Sequence, residues 1–146
     1  MSMTQSEQVL ATSVLSATAS CTEQPQHTLL IIDDDATLNG LLCSALKNQE
    51  YNIVTADCAE AGIRAAAKLR PTIILLDLCL PDLDGITALA EIRKQGYYTT
   101  IILTSCLPLN QWESQALLAG ADDVLEKPYN LFAIYKALGL PMRHAA

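Results

Sequence analysis

Residues 72–85 read TIILLDLCLPDLDG: an apolar run, Asp77, a turn at Pro81, then Asp82 and Asp84 ahead of Gly85. An apolar run without polar alternation is the mark of a strand buried on both faces, and such strands belong to parallel sheets covered by helices. Further runs of the same kind lie on either side: TLLII (28–32), NIVTA (52–56), TTIILT (99–104) and DVLE (123–126). Each is bounded by polar, Gly or Pro residues.

Between the runs the apolar period changes to that of a helix. Leu38, Leu41, Leu42, Ala45 and Leu46 form one stripe behind Asp35 as N-cap. Asp57 with Glu60 resembles a capping box for an Ala-rich helix over about 58–69, which Pro71 ends. Gly85 leads into a helix carrying Ile86, Leu89 and Ile92. A fourth helix is expected over about 109–119, closing at Gly120, and Asn130 caps a fifth, stopped by Gly139 and Pro141. Five strands alternating with five helices define an α/β fold with an open parallel sheet.

The 146-residue chain carries a net charge of −7 and has no Lys or Arg before Lys47 or between Lys94 and Lys127. A nucleic-acid surface needs a basic stripe, so direct nucleic-acid binding is not expected. The five cysteines, Cys21, Cys43, Cys58, Cys79 and Cys106, are scattered without C-x-x-C spacing and read as reduced thiols. His27 and His144 fall in the two tails with no ligand set nearby. Residues 1–27, rich in Ser, Thr, Ala and Gln, read as a flexible extension, with 140–146 as a C-terminal tail. The stretch before Cys21 carries Glu7, no cation and interspersed Ser and Thr, unlike an export leader. No apolar run is long enough to span a membrane, and a cytoplasmic location is expected.

In open parallel sheets, ligands collect outside the carboxyl ends of the strands. The residues closing the strands are Asp33 and Asp34, Asp77, Thr104 and Lys127. Three gathered carboxylates repel one another unless a cation sits among them. Oxygen donors of this kind suit Mg²⁺, whose remaining positions take phosphate oxygens, and Lys127 adds a point charge facing a phosphoryl group.

The segments LLIIDDD, IILLDLCLPDLDG, IILTS and GADDVLEKPY, in this order and spacing, resemble the receiver domain of bacterial response regulators over residues 28–139. The resemblance implies a flavodoxin-like sheet of order 2-1-3-4-5 with helices on both faces. It implies Asp77 as phosphoacceptor, supplied by a histidine kinase or histidine phosphotransfer protein. Asp34 would bind Mg²⁺ directly and Asp33 through a water, with the Cys79 backbone carbonyl completing the protein ligands. Thr104 would donate its hydroxyl to the phosphoryl group, Lys127 would pair with it, and the Lys127–Pro128 peptide would be cis. Such a domain is a switch rather than a turnover enzyme. Its output would be altered binding to a downstream protein through the surface of the fourth helix, fifth strand and fifth helix, as monomer or homodimer. No length remains after it for an effector, so the chain acts alone or is a piece of a larger regulator. The family's usual aromatic residue three positions before the lysine is here Val124.

Several nearby residues read as structural. Asp82 and Asp84 flank a turn, where Asp bonds local backbone and caps the coming helix. Cys79 and Cys106 each follow a site residue by two positions and read as neutral thiols. Trp112 and Leu117 suit either a partner surface or the core, and Glu113, Asp122, Asp123 and Glu126 a solvated face. Two rival functions remain. In a haloacid-dehalogenase-like phosphatase, suggested by DLDG, Asp82 would attack phosphate and Asp84 act as acid and base. In a phosphorylation-independent binding module, the fold alone would be kept.

Overall fold

The computed structural model describes residues 27–140 apart from positions 48 and 50. The elements run β1 (His27–Ile32), α1 (Ala36–Ala45), β2 (Tyr51–Ala56), α2 (Ala59–Leu69), β3 (Ile73–Asp77), α3 (Gly85–Arg93), β4 (Thr100–Ser105), a 3-10 turn (Leu109–Gln111), α4 (Glu113–Ala119), β5 (Asp123–Glu126) and α5 (Leu131–Ala137). All strand pairs are parallel and the sheet order is β2-β1-β3-β4-β5. The chain starts at an inner strand, steps to one edge, then returns across β1 to β3. That reversal opens a crevice at the carboxyl ends of β1 and β3.

The uninterrupted apolar runs are explained by two cores, one on each face of the sheet. Leu30, Ile32, Ile74, Leu76, Ile101 and Leu103 pack with residues of α2, α3 and α4. The alternate residues Leu29, Ile31, Leu75 and Ile102 pack with Leu42 of α1 and Ile134 of α5. Each such fully buried Leu or Ile stabilises the fold by about 1.5–3 kcal/mol.

Four local expectations are corrected. The helix expected over 109–119 is interrupted at Trp112 (φ −140°), whose indole is buried at 3% exposure and donates from Nε1 to the Leu107 carbonyl at 2.9 Å. Burying the ring outweighs one continuous helix, so Trp112 is core, whereas Leu117 is exposed. The Asp57–Glu60 capping box is replaced by Cys58, whose Sγ accepts from the Ala61 N–H at 3.5 Å, together with a carboxylate from another loop. Asp122 is not merely solvated: its Oδ2 accepts from Arg93 at 2.9 Å and from the Ile101 N–H at 2.8 Å. His27 opens β1 instead of lying in a tail, its ring centroid 5.8 Å from that of Tyr51. His144, Cys21 and the rest of the expected extension lie outside the described residues. Asp35 and Asn130 cap α1 and α5 as expected, accepting from Leu38 N–H at 3.1 Å and Ala133 N–H at 2.9 Å.

Candidate functional site

Strand register brings the acidic residues together. Ile32 pairs with Leu76, so Asp33 leaves β1 level with Asp77; Asp77 pairs with Thr104, and Ser105 with Glu126, after which Lys127 follows. Oxygen atoms of Asp33, Asp34 and Asp77 all lie within 4.8 Å of one another. Asp33, Asp77 and Thr104 are buried, whereas Asp34 is exposed at the rim. The Lys127 ammonium donates to Asp33 Oδ2 at 2.6 Å and stands 3.6 Å from Asp77 Oδ2. The Lys127–Pro128 peptide is cis. The five strand-end residues named from the sequence therefore converge on one edge of the sheet.

Burial pushes the Asp77 carboxyl above the ordinary carboxylate range; Lys127 and the Cys79 N–H oppose this, while Asp33 and Asp34 add to it. For Lys127, burial works against its charge, but the hydrogen bond to Asp33 and the charges of Asp77 and Asp33 outweigh it and hold its pKa above the ordinary lysine value. The ammonium thus stays charged while the acids around it compete. One cation among three carboxylates leaves a surplus of negative charge, and every donor is a hard oxygen. Such a set fits Mg²⁺.

The loop after Asp77 is pinned at several points. Leu78 N–H donates to the Thr104 carbonyl at 2.8 Å, Cys79 N–H to Asp77 Oδ1 at 3.2 Å, and Gly85 N–H to the Leu78 carbonyl at 2.7 Å. A Cβ on Gly85 would stand 2.5 Å from the Asp77 carbonyl oxygen and 2.6 Å from Leu78 Cα, so only glycine lets α3 begin this close to the site.

Asp84 caps α3 through the Thr87 N–H at 2.9 Å, as expected. Asp82 does not cap the coming helix. Its two oxygens reach back to α2, accepting from Ala59 N–H at 2.8 Å and Glu60 N–H at 2.9 Å. These amides hold the Asp82 carboxyl below its ordinary value, and the Thr87 hydroxyl and N–H do the same for Asp84. Both carboxylates of the phosphatase alternative are thus engaged as helix caps.

Two neighbours of the site were not singled out from the sequence. Asn39 donates from Nδ2 to the Asp33 carbonyl at 2.8 Å, holding the turn that carries both acids. Tyr129, directly after the cis proline, has its phenol pushed up to about 12 by burial, against the Lys127 charge and with the help of Asp33, Asp77 and Asp35. It packs against the core shared by α1 and α5. Its only signal in the sequence was adjacency to Lys127 and Pro128. Val124 lies half-buried in β5 against the α2–α4 core. The Cys79 Sγ is exposed, 4.0 Å from Ser105 Oγ.

A doubly wound sheet with an acidic cluster and a lysine at its reversal point defines a phosphoryl-handling module of the receiver type. The sequence model of the response regulator receiver domain family matches residues 29–139. The KdpE transcriptional regulatory protein of Staphylococcus aureus is 42% identical over 106 residues, 73% of this chain and 46% of that protein. The chemotaxis protein CheY of Bacillus subtilis is 30% identical over 115 residues, 77% of this chain and 94% of that protein. A two-component response regulator from Clostridium difficile superposes with a TM-score of 0.73 at 30% identity, covering 77% of this chain and 93% of that structure. The chain belongs to the response regulator receiver family of two-component systems. It spans about half the length of the transcriptional regulators it matches, 44–52% for TcrX and the KdpE proteins. Among the described residues no helix is long and apolar enough to cross a membrane.

Proposed function

We propose that Asp77 is the phosphoacceptor of this receiver domain. The observation that carries the reading is the convergence of buried Asp77 with Asp33, Asp34 and the Lys127 ammonium at the sheet's reversal point. A carboxylate needs no general base; it needs positioning and relief of repulsion as a phosphoryl group approaches. The donor is a phosphohistidine on a kinase or phosphotransfer protein: its N–P bond breaks as an Asp77 oxygen bonds phosphorus, and the imidazole leaves.

Asp33, Asp34, Asp77 and the Cys79 backbone carbonyl are the proposed Mg²⁺ ligands. When bound, Mg²⁺ supplies charge neutralisation at the phosphoryl oxygens. Lys127 exchanges its 2.6 Å bond to Asp33 for a phosphoryl oxygen, and Thr104, the register partner of Asp77, donates its hydroxyl to another. The added charge shifts a pre-existing equilibrium and is read by a protein partner on the surface of α4, β5 and α5, where Leu117, Leu118, Leu131 and Phe132 are exposed. That surface also serves a homodimer if one forms. With no turnover substrate, the domain acts as a switch and not as an enzyme. The receiver unit of this reading spans residues 28–139, in keeping with the family match over 29–139. The described cysteines are all free thiols, which supports a reducing, cytoplasmic setting.

Incubation with acetyl phosphate and Mg²⁺ tests the assignment by intact mass. One phosphoryl adduct is expected on the wild type and none on Asp77→Asn. An adduct that survives in Asp77→Asn and disappears in Asp82→Asn would restore the phosphatase reading, and no adduct on the wild type would favour a phosphorylation-independent module.

A further inference from the structure

We infer that Asp82 is a positioning residue for the Mg²⁺-binding loop, acting as a clasp between that loop and the amino end of α2. The inference rests on the phosphoacceptor reading above and assigns a role to a side chain that reading leaves unused.

Residues 78–84 connect β3 to α3 and carry the Cys79 carbonyl proposed as a ligand. Their first half is tied to the site: Leu78 N–H to Thr104, and Cys79 N–H to Asp77 Oδ1 at 3.2 Å. Their end is tied to α3 by Asp84. Between these anchors stand Leu80, Pro81, Asp82 and Leu83, and Asp82 provides the tie across to another element, 22 and 23 residues away in sequence.

Both Asp82 oxygens are used on two successive amides: Oδ1 accepts from the Ala59 N–H at 2.8 Å and Oδ2 accepts from the Glu60 N–H at 2.9 Å. A fork of two charge-assisted bonds fixes direction as well as distance, and the first-turn amides of a helix carry the partial positive charge that favours a carboxylate. Helix α2 is a firm anchor: Ala59, Gly62 and Ala66 are buried against the sheet. The turn before α2 follows β2, the strand whose Ala56 carbonyl accepts from the Asp33 N–H at 3.0 Å. Asp82 thereby ties the Asp77 side of the pocket to the strand that supports the Asp33 side.

Removing the clasp leaves every proposed ligand in place and releases the loop between them. The consequence is weaker Mg²⁺ binding from a less organised site, with chemistry intact once the metal is saturating. Asp82→Ala is expected to weaken Mg²⁺ binding by about tenfold in calorimetric titration of the metal alone. Asp82→Asn, which keeps one of the two acceptor oxygens and loses the charge, is expected to fall between wild type and Asp82→Ala. Amide exchange at Ala59 and Glu60 should rise in the same order, and at saturating Mg²⁺ all three forms should reach the same acetyl phosphate labelling.

Asp122→Ala controls for lost stability, because it breaks the Arg93 contact and the Ile101 amide bond at the opposite edge of the sheet. It should leave Mg²⁺ affinity unchanged. Unchanged Mg²⁺ affinity in Asp82→Ala, or an equal loss in Asp122→Ala, would overturn the clasp even with Asp77 phosphorylated normally. Absence of label on the wild type would instead overturn the phosphoacceptor reading.

Discussion

Glycine 85 and aspartate 82 show how much of this site is set by residues that do no chemistry. Gly85→Ala forces a Cβ against the Asp77 carbonyl oxygen at 2.5 Å, and the backbone on both sides is held by hydrogen bonds. A loss of about 1–3 kcal/mol is expected in urea unfolding, with weakened phosphorylation because the displaced atom belongs to Asp77 itself. Asp82 also predicts a pH dependence. Its folded pKa is depressed below the ordinary 3.8, so its contribution to stability is present above that value and lost as pH falls through the depressed one. Thermal midpoints of wild type and Asp82→Asn should therefore differ at neutral pH and converge in acid below about pH 4. Of these two roles the sequence showed only turn chemistry. Neither a close backbone approach nor a helix 22 residues away leaves a local pattern.

At the scale of elements, α3 and α4 are joined by Arg93. Its guanidinium donates to the Thr99 carbonyl at 2.6 Å, to the Gly120 carbonyl at 3.1 and 2.7 Å, and to Asp122 at 2.9 Å. The planar fork satisfies the carbonyl at the end of α4 and the turn before β4 at once. Arg93→Ala should cost about 2–3 kcal/mol in urea unfolding, and Arg93→Lys should recover less than half, since an ammonium cannot span these acceptors. Trp112 breaks what the sequence presents as one helix over 109–119. The 3.6-residue period cannot reveal that burying an indole and bonding its Nε1 beats four further residues of helix. Trp112→Ala is expected to lose about 3–5 kcal/mol by the same assay.

For the whole molecule, the relevant balance is charge. Three carboxylates crowd one ammonium at the sheet edge, which makes the fold sensitive to a divalent cation in a way a neutral core is not. Mg²⁺ at ten times its dissociation constant should add about 1.4 kcal/mol to stability, visible as a rise of a few degrees in Tm that chelation reverses. Asp34→Asn should keep the fold and lose most of that gain, because Asp34 is the exposed member of the three-carboxylate cluster proposed to hold the ion. A rise of equal size in Asp34→Asn would count against the ligand assignment.

The sequence by itself determined the strands, the helices apart from the first turn expected of α4, and the five residues at the strand ends. Apolar runs, 3.6-residue stripes and capping residues are short-range signals, and a parallel sheet needs only the order of its strands to bring Asp33, Asp34, Asp77, Thr104 and Lys127 to one edge. Tertiary structure alone decided which amides Asp82 would cap, that Gly85 must lack a side chain, that Trp112 would turn inward and that Tyr129 would be buried beside the charged cluster. Those outcomes depend on distances between segments far apart in the chain, where burial and the pairing of polar groups are settled only once the layers have packed.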